Sequence, residues 1–294
     1  MLSALSLGAT LYMPATRPDL WQVVNGEKYP ELRSVVLCLE DAVVEHDVEF
    51  AKENLKKLLQ HLQQNQRNSQ HPQLFIRPRH LEMAEELMQW AEIQLLDGMV
   101  LPKFGLSNLN QWHAILSSDL KLMPTLETPD TFDMGAMKEL RQALQQQFHP
   151  VLVLRIGGND LLNCLALRRP NDMTLYQTPI GALISNLAGQ FLPYGFSLSA
   201  PVCEHFRQVK LLQDELYLDI QHGLSGKTII HPAQIPIVHQ AFQVNEIELK
   251  QAQDILNHDA QAVFACHGSM LEPATHKHWA ERILERAKVF GLKI

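Results

Sequence analysis

The chain has 294 residues, 46% of them hydrophobic and 19% charged, with a formal net charge of −7. These proportions suit a globular protein with one large core or two smaller ones. No basic stretch is dense enough to track a phosphate backbone, which argues against nucleic acid as a partner. No apolar run reaches the ~20 residues of a membrane span, so no membrane role is expected.

The N-terminal stretch MLSALSLGATLYMPATRP is apolar, has no basic leading region and is interrupted by Pro14. It reads as a first strand in preference to a signal peptide. Seven more strand-like runs follow: SVVLCLED, LFIRP, DGMVLP, KLMPTLET, VLVLRIGGND, FSLSAPV and GKTIIHP. The gaps hold amphipathic segments rich in helix formers: VEFAKENLKKLLQHLQQNQ, EMAEELMQWAEIQLL, DMGAMKELRQALQQQF and VCEHFRQVKLLQDELYLDIQ. Strands alternating with helices in this way predict an α/β (β/α)8 TIM barrel over residues 1–245. A doubly wound open sheet is the second topology, but it needs fewer strands, and no GxGxxG follows the first one. Residues 246–294 read as a C-terminal helical extension, broken at ACHGSMLEPATH and packing on the barrel or a neighbouring subunit. Cys38, Cys164, Cys203 and Cys266 form no CxxC pair and read as reduced, mostly buried thiols of a cytoplasmic protein.

Pro14, Pro78, Pro102, Pro129 and Pro232 each fall at or just past the C-terminal end of a strand run, where a residue without an N–H ends the ladder. In a barrel those ends form the face that carries chemistry. Glu40, Asp41, Arg77, Lys103, Glu127, Asp160 and His231 are the last polar residues of these runs. So many carboxylates at one mouth call for a neutralising cation. Oxygen ligands without a Cys or His pair favour Mg²⁺ before Mn²⁺, held by two protein carboxylates with water and substrate. Glu127 and Asp160, single acids at adjacent strand ends, are the first choice as ligands. Arg77 suits a bidentate grip on a substrate carboxylate. Lys103, set beside several acids, stays protonated and suits an electrostatic role better than a Schiff base. Gly157 and Gly158 let backbone approach a ligand closely or simply form a turn. Arg79, Arg168 and Arg169 could serve an additional anionic group of a phosphorylated or sugar-derived substrate.

LYMPATRPDL, VVLCLEDAV, VLPK, PTLET, GGNDL and GKTIIHPAQIPIV, in this order, resemble the citrate lyase β-subunit/HpcH–HpaI aldolase superfamily. The likeness runs from about residue 10 to the HGSML segment and is strongest to stand-alone CitE-like carbon–carbon lyases, including a subgroup found beside tellurite-resistance and stress genes. It implies a TIM barrel with Mg²⁺ on Glu127 and Asp160, and substrate carboxylate or keto oxygen on Arg77. It puts Glu40 and Asp41 around water on the metal and Arg17 near a CoA or acyl-carrier end of the substrate. Lys103 and Gly158 join Arg17 and Arg77 as substrate-binding candidates. Glu272, in GSMLEP, stands where the family carries an acid/base Asp that reaches a neighbouring subunit's site. The expected partner is a small 2-keto or hydroxy acid or its CoA thioester, and the expected assembly a homotrimer or homohexamer. The chain departs from the family at Arg77-Pro78-Arg79, in the stretched ETPDTFDMG, and in SAPV after the seventh strand. These departures fall on the acyl-thioester side. The sequence thus points to a Mg²⁺-dependent retro-aldol or retro-Claisen lyase; the alternative is a metal- and carboxylate-binding accessory protein of a stress operon.

Overall fold

The computed structural model describes residues 2–116, 119–147 and 151–293. Eight parallel strands pair in chain order: β1 (Ala9–Pro14), β2 (Ser34–Cys38), β3 (Gln73–Arg77), β4 (Gly98–Leu101), β5 (Lys121–Leu126), β6 (Leu154–Ile156), β7 (Leu198–Ser199) and β8 (Lys227–Ile229). β8 pairs with β1, and the bridge Ala200↔Lys227 joins the end of β7 to β8, which closes the barrel. The eight expected strand runs and their circular order are thus borne out. Pro14 ends β1, and Pro78 and Pro102 directly follow β3 and β4. The helices between strands are α1 (Leu20–Val24), α2 (Val48–Gln64), α3 (Leu81–Met88), α4 (Leu109–Ile115), α5 (Met134–Gln147), α6 (Gly158–Cys164), α7 (Pro179–Phe191), α8 (Val209–Gln221) and α9 (Gln234–Phe242).

Side chains on a strand alternate in twos, and that period sets the layers inside this barrel. Val36, Phe75, Val100, Met123 and Val153 form an apolar layer, and Ala4 and Leu7 pack beneath it. The N-terminal segment therefore contributes more than a strand. Its first residues close the barrel's floor, and Ser34 Oγ donates to the Leu7 carbonyl at 2.8 Å. Met1 lies outside the described residues. Two positions further along the same strands, the layer turns polar with Arg77, Thr125 and Arg155, and two more bring Glu127 and Gly157.

Two helix expectations need correction. EMAEELMQWAEIQLL is not one helix: α3 stops at Met88 and a 3₁₀ turn occupies Ala91–Leu95. VCEHFRQVKLLQDELYLDIQ is helical only from Val209, because residues 202–208 form the loop above β7. The end expected for α5 at Phe148 lies outside the described residues.

The chain divides into two compact units, Met1–Ile235 and Pro236–Ile294. The second unit packs α10 (Glu246–Leu256) on α11 (Pro273–Phe290), around Val244, Ala252, Ile255, Leu271, Ala280 and Ile283. The expected break at ACHGSMLEPATH is an antiparallel hairpin, β9 (Phe264–Cys266) with β10 (Ser269–Leu271). Its two turn residues, His267 and Gly268, both have positive φ (48° and 78°), the conformation of a tight two-residue hairpin loop. Among the described residues, no helix is long and apolar enough to cross a membrane.

Candidate active site

A cavity of about 440 Å³ opens at the C-terminal ends of the strands. Tyr12, Cys38, Asp41, Arg77, Thr125, Glu127, Arg155, Gly157, Gly158, Asp160 and Thr228 are among the residues that line it. Arg77, at the end of β3, is the hub. Its Nη2 meets Glu40 in a close ion pair, Glu127 Oε1 at 3.3 Å and Asp41 Oδ2 at 3.5 Å. Glu127 Oε1 also accepts from the Lys103 backbone N–H at 2.8 Å. Lys103 has a positive φ of 48°, an uncommon geometry for a residue with a Cβ, and its Nζ lies 3.5 Å from Glu40 Oε1. It therefore touches the cluster through both its amide and its ammonium.

Burial dominates the electrostatics. Glu40 is 2% exposed and Glu127 4%, and desolvation pushes both carboxyls up to about 7 despite Arg77. Burial, then the Asp41 charge, raises Asp160 as well. Asp160 sits in the first turn of α6, beyond the end of β6. Gly157 is small for a steric reason: a Cβ there would come within 2.4 Å of Glu127 Cβ and 2.5 Å of its Oε2. A Cβ on Gly158 would come within 2.8 Å of Pro201.

Four carboxylates (Glu40, Asp41, Glu127, Asp160) thus meet three cations at and below the mouth (Arg77, Lys103 and the deeper Arg155), and both Glu40 oxygens are buried without a hydrogen bond of good geometry. That excess of hard oxygen donors fits a divalent cation. Among the described residues no three His, Cys, Asp or Glu side chains gather into a ready-made metal cage.

Other expected residues lie elsewhere. His231 does not line the cavity; its ring stacks on Phe206 with centroids 4.5 Å apart, and Thr228 of β8 and Ile230 just after it line the cavity instead. Arg17 is 44% exposed and forms a two-point pair with Asp19 at 2.8 Å. That hydrogen bond holds the Asp19 carboxyl well below its ordinary range. Glu272 belongs to the second unit, where it precedes α11 and accepts from the Thr275 hydroxyl at 3.2 Å. Arg79 is committed to the β2–α2 loop, donating to the Val43 carbonyl at 3.0 Å and pairing with Glu45 at 2.8 Å. Arg169 is buried in a close pair with Glu215. Neither arginine is left for an extra anionic group. Cys38 and Cys203 are buried free thiols, but Cys164 is exposed, so burial of the cysteines is only partial.

Two functional positions were missed in the sequence. Arg155 lines the cavity, 2% exposed, and the clue was its place in VLVLRIGG, two residues from Gly157 and in phase with it. Burial pulls its guanidinium down from the ordinary range. Gln234, in the IHPAQ segment, is fully buried. Its side-chain oxygen accepts from the Ile230 and His231 N–H groups (3.1 and 3.2 Å), and its amide donates to the Cys203 carbonyl (2.8 Å). It pins the loops that follow β7 and β8.

A closed parallel barrel with carboxylates and an arginine at its C-terminal mouth places the chain among the TIM-barrel proteins. The chain belongs to the family of C–C bond lyases of the TIM-barrel fold, whose model matches residues 1–292. A (3S)-malyl-CoA thioesterase of Cereibacter sphaeroides is 26% identical over 248 residues, covering 83% of this chain and 80% of the relative. Mycobacterium tuberculosis CitE, solved with magnesium, acetoacetate and coenzyme A, superposes with a TM-score of 0.72 at 21% identity, over 97% of this chain and 99% of that one. Yersinia pestis RipC gives a TM-score of 0.63 at 20% identity, over 84% of this chain and 100% of that one.

Proposed function

We propose that this protein is a Mg²⁺-dependent lyase that cleaves or forms a C–C bond in a 2-keto or hydroxy acid, or in its acyl thioester. The observation that carries this reading is the convergence of four carboxylates on the barrel mouth, Glu40 and Glu127 buried and Asp41 and Asp160 more open. Glu127 and Asp160 would hold the ion. When bound, it supplies Lewis-acid stabilisation of the charge that develops on the substrate's carbonyl oxygen. Arg77 fixes the substrate carboxylate; its buried Nε has no partner. Glu40 and Asp41 orient Arg77 and the water around the ion, and Glu40, titrating near neutrality, can hold or release a proton. Lys103 holds Glu127 through its backbone amide, and Gly158 keeps the wall beneath the substrate open. Arg17, at the loop after β1, would meet a thioester's distal end, and Glu272, supplied by a neighbouring subunit of a trimer or hexamer, would complete proton transfer. The cytoplasm, reducing for four free cysteines, is the proposed location.

The magnesium and coenzyme A of the CitE structure and the magnesium and oxaloacetate of a related citrate lyase β-subunit structure support the choice of ligands. Thioester hydrolysis is the second reading, favoured by the thioesterase relatives. Assays on a panel of 3-hydroxyacyl-CoA esters and 4-hydroxy-2-keto acids, with and without Mg²⁺, read both aldehyde or keto-acid release and free thiol. Release of a C–C cleavage product, abolished in Glu127→Ala, is expected. Thiol release alone would establish the second reading, and keto-acid binding without any turnover would favour an accessory role.

A further inference from the structure

We propose that Arg155 is a specificity-determining residue, the head of a second anion-receiving subsite on the cavity floor, selecting acids with two anionic groups. The substrate's chelating end on Glu127 and Asp160 rests on the function proposed above; the subsite itself rests on different residues.

Arg155 is a permanently charged fork with five N–H donors, buried to 98% by its 2% exposure. No carboxylate lies within 4.0 Å of it among the described residues. Its Nη2 donates to the Thr228 hydroxyl, its Nη1 reaches the Met123 thioether at 3.7 Å, and its guanidinium lies 5.1 Å from the centre of the Tyr12 ring. A thioether, one hydroxyl and a ring face are poor compensation for a buried cation, because desolvating an unpaired charge costs several kcal/mol. Arg77, in contrast, has three carboxylates around it. The neighbouring Thr125 also lines the cavity, is 5% exposed, and leaves its hydroxyl without a hydrogen-bond partner. A cation and an unpartnered hydroxyl on one cavity floor match the needs of a carboxylate.

Register gives the spacing. Thr125 pairs with Arg155 across β5 and β6, and Glu127 follows two residues along β5. At ~3.3 Å per residue the two levels are about 6–7 Å apart. A short diacid spans that separation, with one end chelated and its second carboxylate on the Arg155 fork. A monocarboxylate would leave the fork unfilled.

Calorimetric titration of the Mg²⁺-loaded full chain with oxaloacetate and with pyruvate tests this. Wild type should bind oxaloacetate about 10–100-fold more tightly. In Arg155→Met that ratio should fall to within about threefold of unity, with pyruvate affinity nearly unchanged. Arg155→Lys, which keeps the charge and removes the fork, should cut the ratio at least threefold and covers the case in which the Met variant does not fold. A wild-type ratio near unity overturns the proposal, as does a ratio that survives in either variant, which would make Arg155 a packing residue only. Succinate binding without Mg²⁺ separates this from the metal reading. Arg155-dependent succinate binding supports the subsite; if Mg²⁺ then changes neither oxaloacetate nor pyruvate binding, the metal reading fails while the subsite stands. Succinate binding unaffected by Arg155 variants overturns the subsite.

Discussion

Glu127 gathers the site's constraints at one side chain: a backbone donor from Lys103, the Arg77 guanidinium, and the absence of a side chain on Gly157. Two substitutions probe it separately. Gly157→Ala brings a methyl within 2.4 Å of the Glu127 Cβ, so the carboxylate must shift. We expect Mg²⁺-dependent activity to drop by about 10²-fold, since displacements near 1 Å carry that penalty; steady-state kinetics would show it, and wild-type activity would refute the packing argument. Glu40→Ala or Asp41→Ala leaves both proposed ligands in place and should weaken Mg²⁺ affinity by about 10–100-fold, read by calorimetry. Glu40 should give the larger effect, because it is buried against Arg77 and Asp41 is 59% exposed. The pairing of these acids in LEDAV was plain in the sequence. Their unequal burial was not, since the two acids are adjacent in the loop just past β2.

Between elements, a second cluster of charge holds α8 and the β6–α7 connection to β8. Lys227 pairs with Asp219 at 2.8 Å and Glu215 at 3.4 Å. Glu215 also pairs with Arg169 and accepts from the Leu175 N–H at 2.8 Å. Tyr176 donates to Asp219 at 2.7 Å. Glu215 and Asp219 lie four apart on α8, so one face presents both acids. Burial alone would push the Glu215 carboxyl up, but Lys227 and Arg169 outweigh it and hold it below the ordinary range. A depressed acid stabilises the fold above its unfolded value, about 4.3, and loses that contribution as pH falls through the folded value. Glu215→Gln should therefore cost about 3–5 kcal/mol at pH 7, because buried Arg169 loses its carboxylate and Lys227 keeps only Asp219. In urea unfolding, its deficit against wild type should shrink as pH is lowered below about 4; a deficit that grows there would contradict the assignment. Removing Gln234 is a second test, on neutral hydrogen bonds instead of charges. Gln234→Leu strands two N–H groups and a carbonyl in a buried place and should cost on the order of 1–3 kcal/mol per orphaned group, seen as a lower melting temperature.

At the scale of the molecule, the barrel is a graded column: an apolar floor, a layer with two arginines, and a carboxylate rim. The floor depends on Leu7, which is 2% exposed beneath the Val36 and Phe75 layer. Leu7→Ala should lower stability by about 2–5 kcal/mol while leaving kcat within twofold at a temperature where the variant is folded, because it lies at the end of the barrel away from the mouth. A matching loss of kcat would mean the floor and the rim are mechanically coupled.

The eight strands, their order and most of the acids and cations at the strand ends were legible in the chain, because strand period and proline stops are local properties and parallel strands joined by helices have few closures. Counting in twos from Val153 would also have exposed Arg155, whose charge among apolar neighbours was read as part of the strand. What the tertiary structure alone decided is partnership. It set which acids Arg77 gathers, that Arg79 and Arg169 are already paired, that His231 leaves the mouth, and that His267-Gly268 turns a hairpin. Those outcomes depend on side chains far apart in the chain meeting in three dimensions, and burial and pairing belong to that meeting, which no single segment encodes.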